Sequence, residues 1–147
     1  MKPSVTRSYL DTLFANRDYE GLVWLSSMIC GSSGFDLQHP TYGLSRSLFL
    51  FVESLFWFAQ SSRSGVWTYF EATPATRQQN MLEALRELGP AGFAEQYGLG
   101  MGEWTNVEQA AEVDKWLWEN EHTNNAFLWQ LAEQNRAAMD VLVRHGR

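Results

Sequence analysis

Glu119 and His122 stand three residues apart, the spacing at which a carboxylate and an imidazole on one helical turn can share a metal ion. A di-iron bundle needs two such pairs and further carboxylates. This chain has one, and His39 and His145 add no ligand spacing, so no metal and no cofactor is expected. Cys30 is the only thiol, and a nucleophile built on it would need His39 or His122 as its base. No cysteine-protease signature surrounds it, and a small buried hydrophobe is the simpler use. There is no Gly-x-Ser-x-Gly elbow and no phosphate-cradling Gly-x-x-x-x-Gly-Lys loop. Gly98-Leu-Gly-Met-Gly102 is glycine-rich but follows a helical pattern rather than a strand, as a helix-ending turn does. No catalytic residue is assigned.

Two features remain that could do work. Glu53 interrupts the most apolar run of the chain, Leu48 to Ala59. It is either a buried functional carboxylate with a raised pKa or an edge carboxylate that reaches water or an arginine. The second feature is a row of acids: Glu108, Glu112 and Glu119 fall on one helical face at spacings that could imitate a line of phosphates. Lys115 sits between them, so the same face could be solvated and internally paired. Trp116, Trp118 and Trp129 lie off the centre of their apolar stripes, where an exposed tryptophan would make a binding hot spot.

The elements that position these residues all read as helices. Residues 4–15 and 19–30 give two short ones, with Asp18 as N-cap of the second and Gly31 as its stop. Residues 31–43 form a 13-residue loop, a length often met in functional segments as well as in plain connectors. The helix from about 44 to 60 is apolar nearly all round, as a central buried helix is. A Gly65-started aromatic segment follows. Thr73-Pro74 signals a helix start, with Met81, Leu82, Leu85 and Leu88 as its apolar stripe and Gly89 expected at the left-handed end position. Pro90 opens a short helix through Tyr97. Thr105-Asn-Val-Glu108 reads as a capping box for a helix to about 120. A last helix spans about 124–144, with Asn135 in its core stripe and in need of a partner.

The central stretch resembles the bacterial DNA-mimic-protein-like domain, a mostly uncharacterised all-α family named for a member that imitates duplex DNA. That family shows an apolar helix, a segment like Asn-Gly-Gly-Phe-x-Gln-Tyr-Phe-x-Asn, and a helix ending in Ile-Gly-Ala. Here Leu48 to Gln60 is the apolar helix, Gly65, Tyr69 and Phe70 stand at the second Gly and the Tyr-Phe, and Leu85-Arg-Glu-Leu88-Gly89 fits the end of the next helix. Arg63-Ser64 replaces Asn-Gly, Thr68 replaces Gln, Ala72 replaces the last Asn, and Pro90 follows Gly89. The likeness covers the central third and implies an all-α fold, with DNA mimicry as a direction for function.

Composition agrees with a packed domain. The chain has 147 residues, 45% of them hydrophobic and 19% charged, with 7 Trp, 9 Phe and 5 Tyr to fill a core. One cysteine favours a reducing compartment. The N-terminus lacks a signal-peptide run, and no stretch approaches the ~20 apolar residues that span a bilayer. Net charge is −6, modest for a DNA mimic, and residues 103–121 hold six acids against Lys115 alone. That balance argues against direct nucleic-acid binding and against anionic membranes.

The sequence therefore predicts one cytoplasmic all-α domain, residues 1–147, of six to eight helices around the central helix. Its favoured role is a non-enzymatic module that contacts a basic protein partner, a DNA-binding protein or a toxin it neutralises. The surface assigned to that role comprises Glu108, Glu112, Glu119, Trp116, Trp118 and Trp129. The alternatives are a small enzyme with a site between Glu53 and the 31–43 loop, and a structural homo-oligomer, for instance a homodimer, joined through an apolar patch at Trp129.

Overall fold

A run that is apolar on every side can be stable only in the interior, and the computed structural model places it there. The structure describes residues 7–101 and 106–142. Among these, the chain forms nine α-helices and no strand. They are α1 (Arg7–Asn16), α2 (Tyr19–Cys30), α3 (Arg46–Ser64), α4 (Val66–Ala72), α5 (Ala75–Leu88), α6 (Phe93–Gly100), α7 (Val107–Glu119), α8 (Glu121–Gln134) and α9 (Arg136–Leu142). The central helix is α3. It touches α2, α4, α5, α7 and α8, and between Phe49 and Phe58 only Phe56 reaches solvent. The buried side chains form one continuous apolar cluster that draws on every helix from α1 to α9.

Several helix ends follow local rules. Asp18 caps α2 by accepting the Gly21 N–H at 2.8 Å, and Ser45 caps α3 by accepting the Leu48 N–H at 3.3 Å. Gly65, with φ of +93°, separates α3 from α4, a backbone conformation that a side chain would resist. The Val66 N–H that opens α4 is then taken by the Asp114 carboxylate of α7 at 2.8 Å.

Other ends depart from expectation, each for a tertiary reason. Thr73 does not cap α5: its hydroxyl donates back to the Tyr69 carbonyl at 2.6 Å, Pro74 occupies the cap position, and α5 begins at Ala75. Gln78 donates to the Phe70 and Thr73 carbonyls at 3.0 and 2.9 Å and so closes the end of α4. Gly89 has φ of −83° rather than a left-handed value, and its lack of a Cβ spares a clash 2.7 Å from the Leu85 carbonyl oxygen. Of the proposed capping box, Thr105 lies outside the described residues. The cap on α7 is Asn106, which accepts from the Glu108 and Gln109 amides at 3.1 Å each.

The C-terminal helix is broken in two at Asn135. Its side chain donates to Ser47 Oγ at 2.7 Å and to the Leu131 carbonyl at 2.8 Å, which supplies the partner that a polar residue in a core stripe requires. The break turns Ala138 to solvent while Met139 stays buried. The helix after Pro90 begins late, at Phe93, and runs through Gly98 to Gly100 instead of stopping at a glycine turn. Gly100 is required by packing, because an added Cβ would overlap the Phe70 ring of α4.

Gly100→Ala is therefore expected to cost about 1–3 kcal/mol of stability through overpacking. Gly34→Ala, whose added methyl meets nothing within 4 Å, should change little. Urea unfolding of the two variants compares them directly, and equal midpoints would remove close helix approach as the reason for Gly100.

Candidate functional site

Glu53 is interior, at 1% exposure, and both of its oxygens accept hydrogen bonds. The Tyr42 hydroxyl donates to Oε1 and the Tyr69 hydroxyl to Oε2. Tyr97 of α6 joins through its hydroxyl, 2.8 Å from that of Tyr69. Arg77 of α5 lies 4.4 Å above the Tyr42 ring and donates to the Leu37 and His39 carbonyls at 2.7 and 3.1 Å. Burial raises the Glu53 pKa above the ordinary carboxylate value, against the opposing pull of the two tyrosine hydrogen bonds and of Arg77. Burial and the nearby Glu53 also raise all three tyrosines, so their hydroxyls stay protonated.

This arrangement bears on the enzyme alternative. The loop at 31–43 is stitched down by Arg77 and by its own turns, and it presents Tyr42 with φ of +57°, an uncommon value for an aromatic residue. Stacking on Phe35 at 4.8 Å, the Arg77 contact and the Glu53 hydrogen bond together hold it there. A shallow cavity of about 350 Å³ lies over Tyr42, Glu53 and Tyr69, with Gln60, Arg63 and Thr73 around it. No histidine lines it; the His39 ring nitrogen Nδ1 accepts the Thr41 amide at 3.1 Å instead. Glu53 is thus neither exposed and isolated nor paired with a histidine.

The acidic helix is α7. Glu108, Glu112 and Glu119 are exposed on one strip, and Lys115 stands among them without an ion pair to any of them. The ion pairs among the described residues join Arg17 to Glu133, Arg46 to Glu87 and Arg136 to Asp11, and none involves α7. Beside the acidic strip runs an apolar one that periodicity did not single out: Val107 (80% exposed), Ala111 and Trp118 (75% exposed), four and then seven residues apart.

The three surface tryptophans expected from the sequence separate sharply. Only Trp118 is exposed. Trp116 is half-buried, stacked on Trp57 at 6.3 Å and edge-on to Phe93 at 5.0 Å, and serves the core. Trp129 is buried, edge-on to Phe14 at 5.5 Å and pressed against Gly21, where an added Cβ would lie 3.0 Å from its ring. It lies off the α8 stripe because α8 packs on α2 as well as on α3, which gives it two buried faces. Trp129 therefore leaves the candidate surface, and with it goes the apolar patch on which a homodimer was to rest.

A cavity of about 590 Å³ opens beside Trp118, between the end of α3, Gly65, α7, the start of α8 and Tyr19 of α2. Asp114, Glu121 and Asn124 line it. Burial raises the Asp114 pKa while the Val66 amide lowers it, with burial the larger effect. Asn124 could have been suspected from the sequence, since it falls in register with Leu128 and Leu131 on a buried face. The partners of Glu53 carry no such signal. Asn120 separates α7 from α8, so Glu119 and His122 belong to different helices, and no group of three His, Cys, Asp or Glu gathers among the described residues. Cys30 ends α2, half-buried.

Compared with known proteins, the chain matches no family model, no curated protein and no solved structure.

Because the folded pKa of Glu53 lies above its unfolded value, its contribution to stability is full below the ordinary glutamate pKa and is lost as pH rises through the folded value. Glu53→Gln keeps the shape and removes the charge. From the ordinary glutamate pKa upward the variant should gain on the wild type until pH passes the raised folded value, with a slope of at most about 1.4 kcal/mol per pH unit. Parallel thermal-melting profiles for the two proteins would contradict this assignment.

Proposed function

We propose that this protein is a non-enzymatic binding module that docks a basic protein partner on the exposed face of α7. The observation that carries the reading is Trp118, a large aromatic left 75% exposed on a helix that otherwise packs well. It continues an apolar strip with Val107 and Ala111, and an unpaired acidic strip runs alongside. An exposed tryptophan with apolar neighbours and a charged border is the anatomy of a binding hot spot. The acids favour a partner of opposite sign and speed the encounter.

The likeness of the central stretch to the bacterial DNA-mimic-protein-like family gives a direction for the partner: a protein whose own surface is built to meet phosphates, such as a DNA-binding protein or a basic toxin. The encounter is placed in the cytoplasm on the strength of the single cysteine. No helix among the described residues is long and apolar enough to cross a membrane. Glu53 favours this reading over an enzyme, since both of its oxygens are engaged by tyrosines of the fold.

Affinity capture from the native host with wild-type protein, Trp118→Ala and the double variant Glu108→Lys/Glu112→Lys tests the surface. Retention of a basic protein should fall about thirtyfold or more in Trp118→Ala, and the double variant should lose it, with circular dichroism unchanged in both. Capture that is indifferent to all three substitutions would sink the α7 assignment.

A further inference from the structure

Two buried side-chain oxygens in the lining of the cavity beside Trp118 have no hydrogen-bond partner. Asn124 is 3% exposed; its amide N–H reaches the Leu117 carbonyl at 3.4 Å, while its Oδ1 accepts nothing. Ser61 is 6% exposed, and its Oγ has no partner either. Both residues line the cavity, with these two oxygens just beneath its surface, so a ligand meets them once the side chains above them turn aside. A third acceptor is the Asp114 carboxylate, whose Oδ1 is engaged by the Val66 amide and whose Oδ2 accepts from no described residue. Glu121 adds a carboxylate, and Trp118 and Tyr19 supply exposed aromatic surface. Arg63 is the cation of the lining, exposed and without an ion pair among the described residues, which leaves the site one negative charge in excess.

Buried oxygens without donors are costly and are normally satisfied. What this site lacks is a ligand rich in N–H, positively charged, and able to lie against an aromatic face. A guanidinium meets all three needs: it carries five donors, no acceptor, and stacks on tryptophan or tyrosine. Its position also fits, because the cavity adjoins the α7 strip through Trp118, which belongs to both.

We propose that the cavity is an anchor pocket for one arginine side chain of the docked partner, its guanidinium donating to Asp114, Asn124 and Ser61 while Trp118 covers it. This rests on the docking role assigned to α7 and adds to it a particular side chain and the atoms that receive it.

The probe is N-acetyl-arginine methylamide titrated into the full chain, followed by the Asn124 side-chain amide and the Trp118 indole signals in NMR spectra. N-acetyl-citrulline methylamide, of nearly the same shape but neutral, is the control. The arginine probe should give saturable shifts at both signals and bind about tenfold tighter than the citrulline probe. Asp114→Asn, which can still accept the Val66 amide, should remove most of that preference. Ser61→Ala, which sacrifices no hydrogen bond within the fold, should weaken binding about threefold without lowering stability. Equal binding of the two probes, absence of saturable shifts, or arginine binding unmoved by both variants would overturn the pocket. The docking role fails separately: arginine binding that is intact while partner capture ignores the Glu108→Lys/Glu112→Lys exchange would retire the α7 surface and leave the pocket standing.

Discussion

A carboxylate without access to water must have its proton or its charge provided for from within, and Glu53 places that demand on four separate segments. Tyr42 comes from the long loop, Tyr69 from α4, Tyr97 from α6 through Tyr69, and Arg77 from α5. Most of what fastens these segments to α3 is apolar contact, which is strong but not directional. Tyr42 and Tyr69 bond the carboxylate itself, Tyr97 bonds Tyr69, and Arg77 holds the Tyr42 ring and its loop, so each segment is oriented by a directional polar contact. A polar knot of this kind adds specificity more surely than it adds net stability, since the cost of burying the group offsets much of the gain.

The short helix α4 is where interior and surface meet. Its first amide is held by Asp114 of α7, and Tyr69, one turn later, is held by Glu53 of α3. Its last turn is closed by Gln78 of α5, and its Phe70 ring occupies the space that Gly100 of α6 leaves open. A seven-residue helix has too few internal hydrogen bonds to persist alone. These four attachments supply what its length cannot, and they carry the position of the core out to the helix that bears Trp118. The arrangement also explains why the acidic helix can expose so much apolar surface: α7 is secured from below by Val113 and Leu117 in the core and by Asp114 at its side.

Much of the secondary structure could be read from the chain. A 3–4 apolar spacing sets most of the helices, Asp18 and Gly65 mark boundaries by local chemistry, and the long apolar run around Phe51 can only be central. Glu53 was visible as the exception within that run, and the α7 acids as an exposed face. Local signals misled where a tertiary partner outbid them. Thr73 turned its hydroxyl backward to Tyr69, and Asn135 broke a helix to reach Ser47. The helix runs on through Gly98 to Gly100, where the missing Cβ leaves room for the Phe70 ring.

The sequence by itself determined that the chain is helical, which helix is innermost, and which stretch is acidic, because these depend on residue type and on spacing within one or two turns. Only the tertiary structure decided which of Trp116, Trp118 and Trp129 is left for a partner, since exposure depends on how many neighbours a helix has: α8 meets α2 and α3, so Trp129 is covered, whereas the outer side of α7 meets nothing described and Trp118 is bare. It also decided the partners of Glu53 and the lining of the cavity beside Trp118. Those contacts join residues from separate helices, and no periodicity within a single helix encodes which distant side chain will stand opposite.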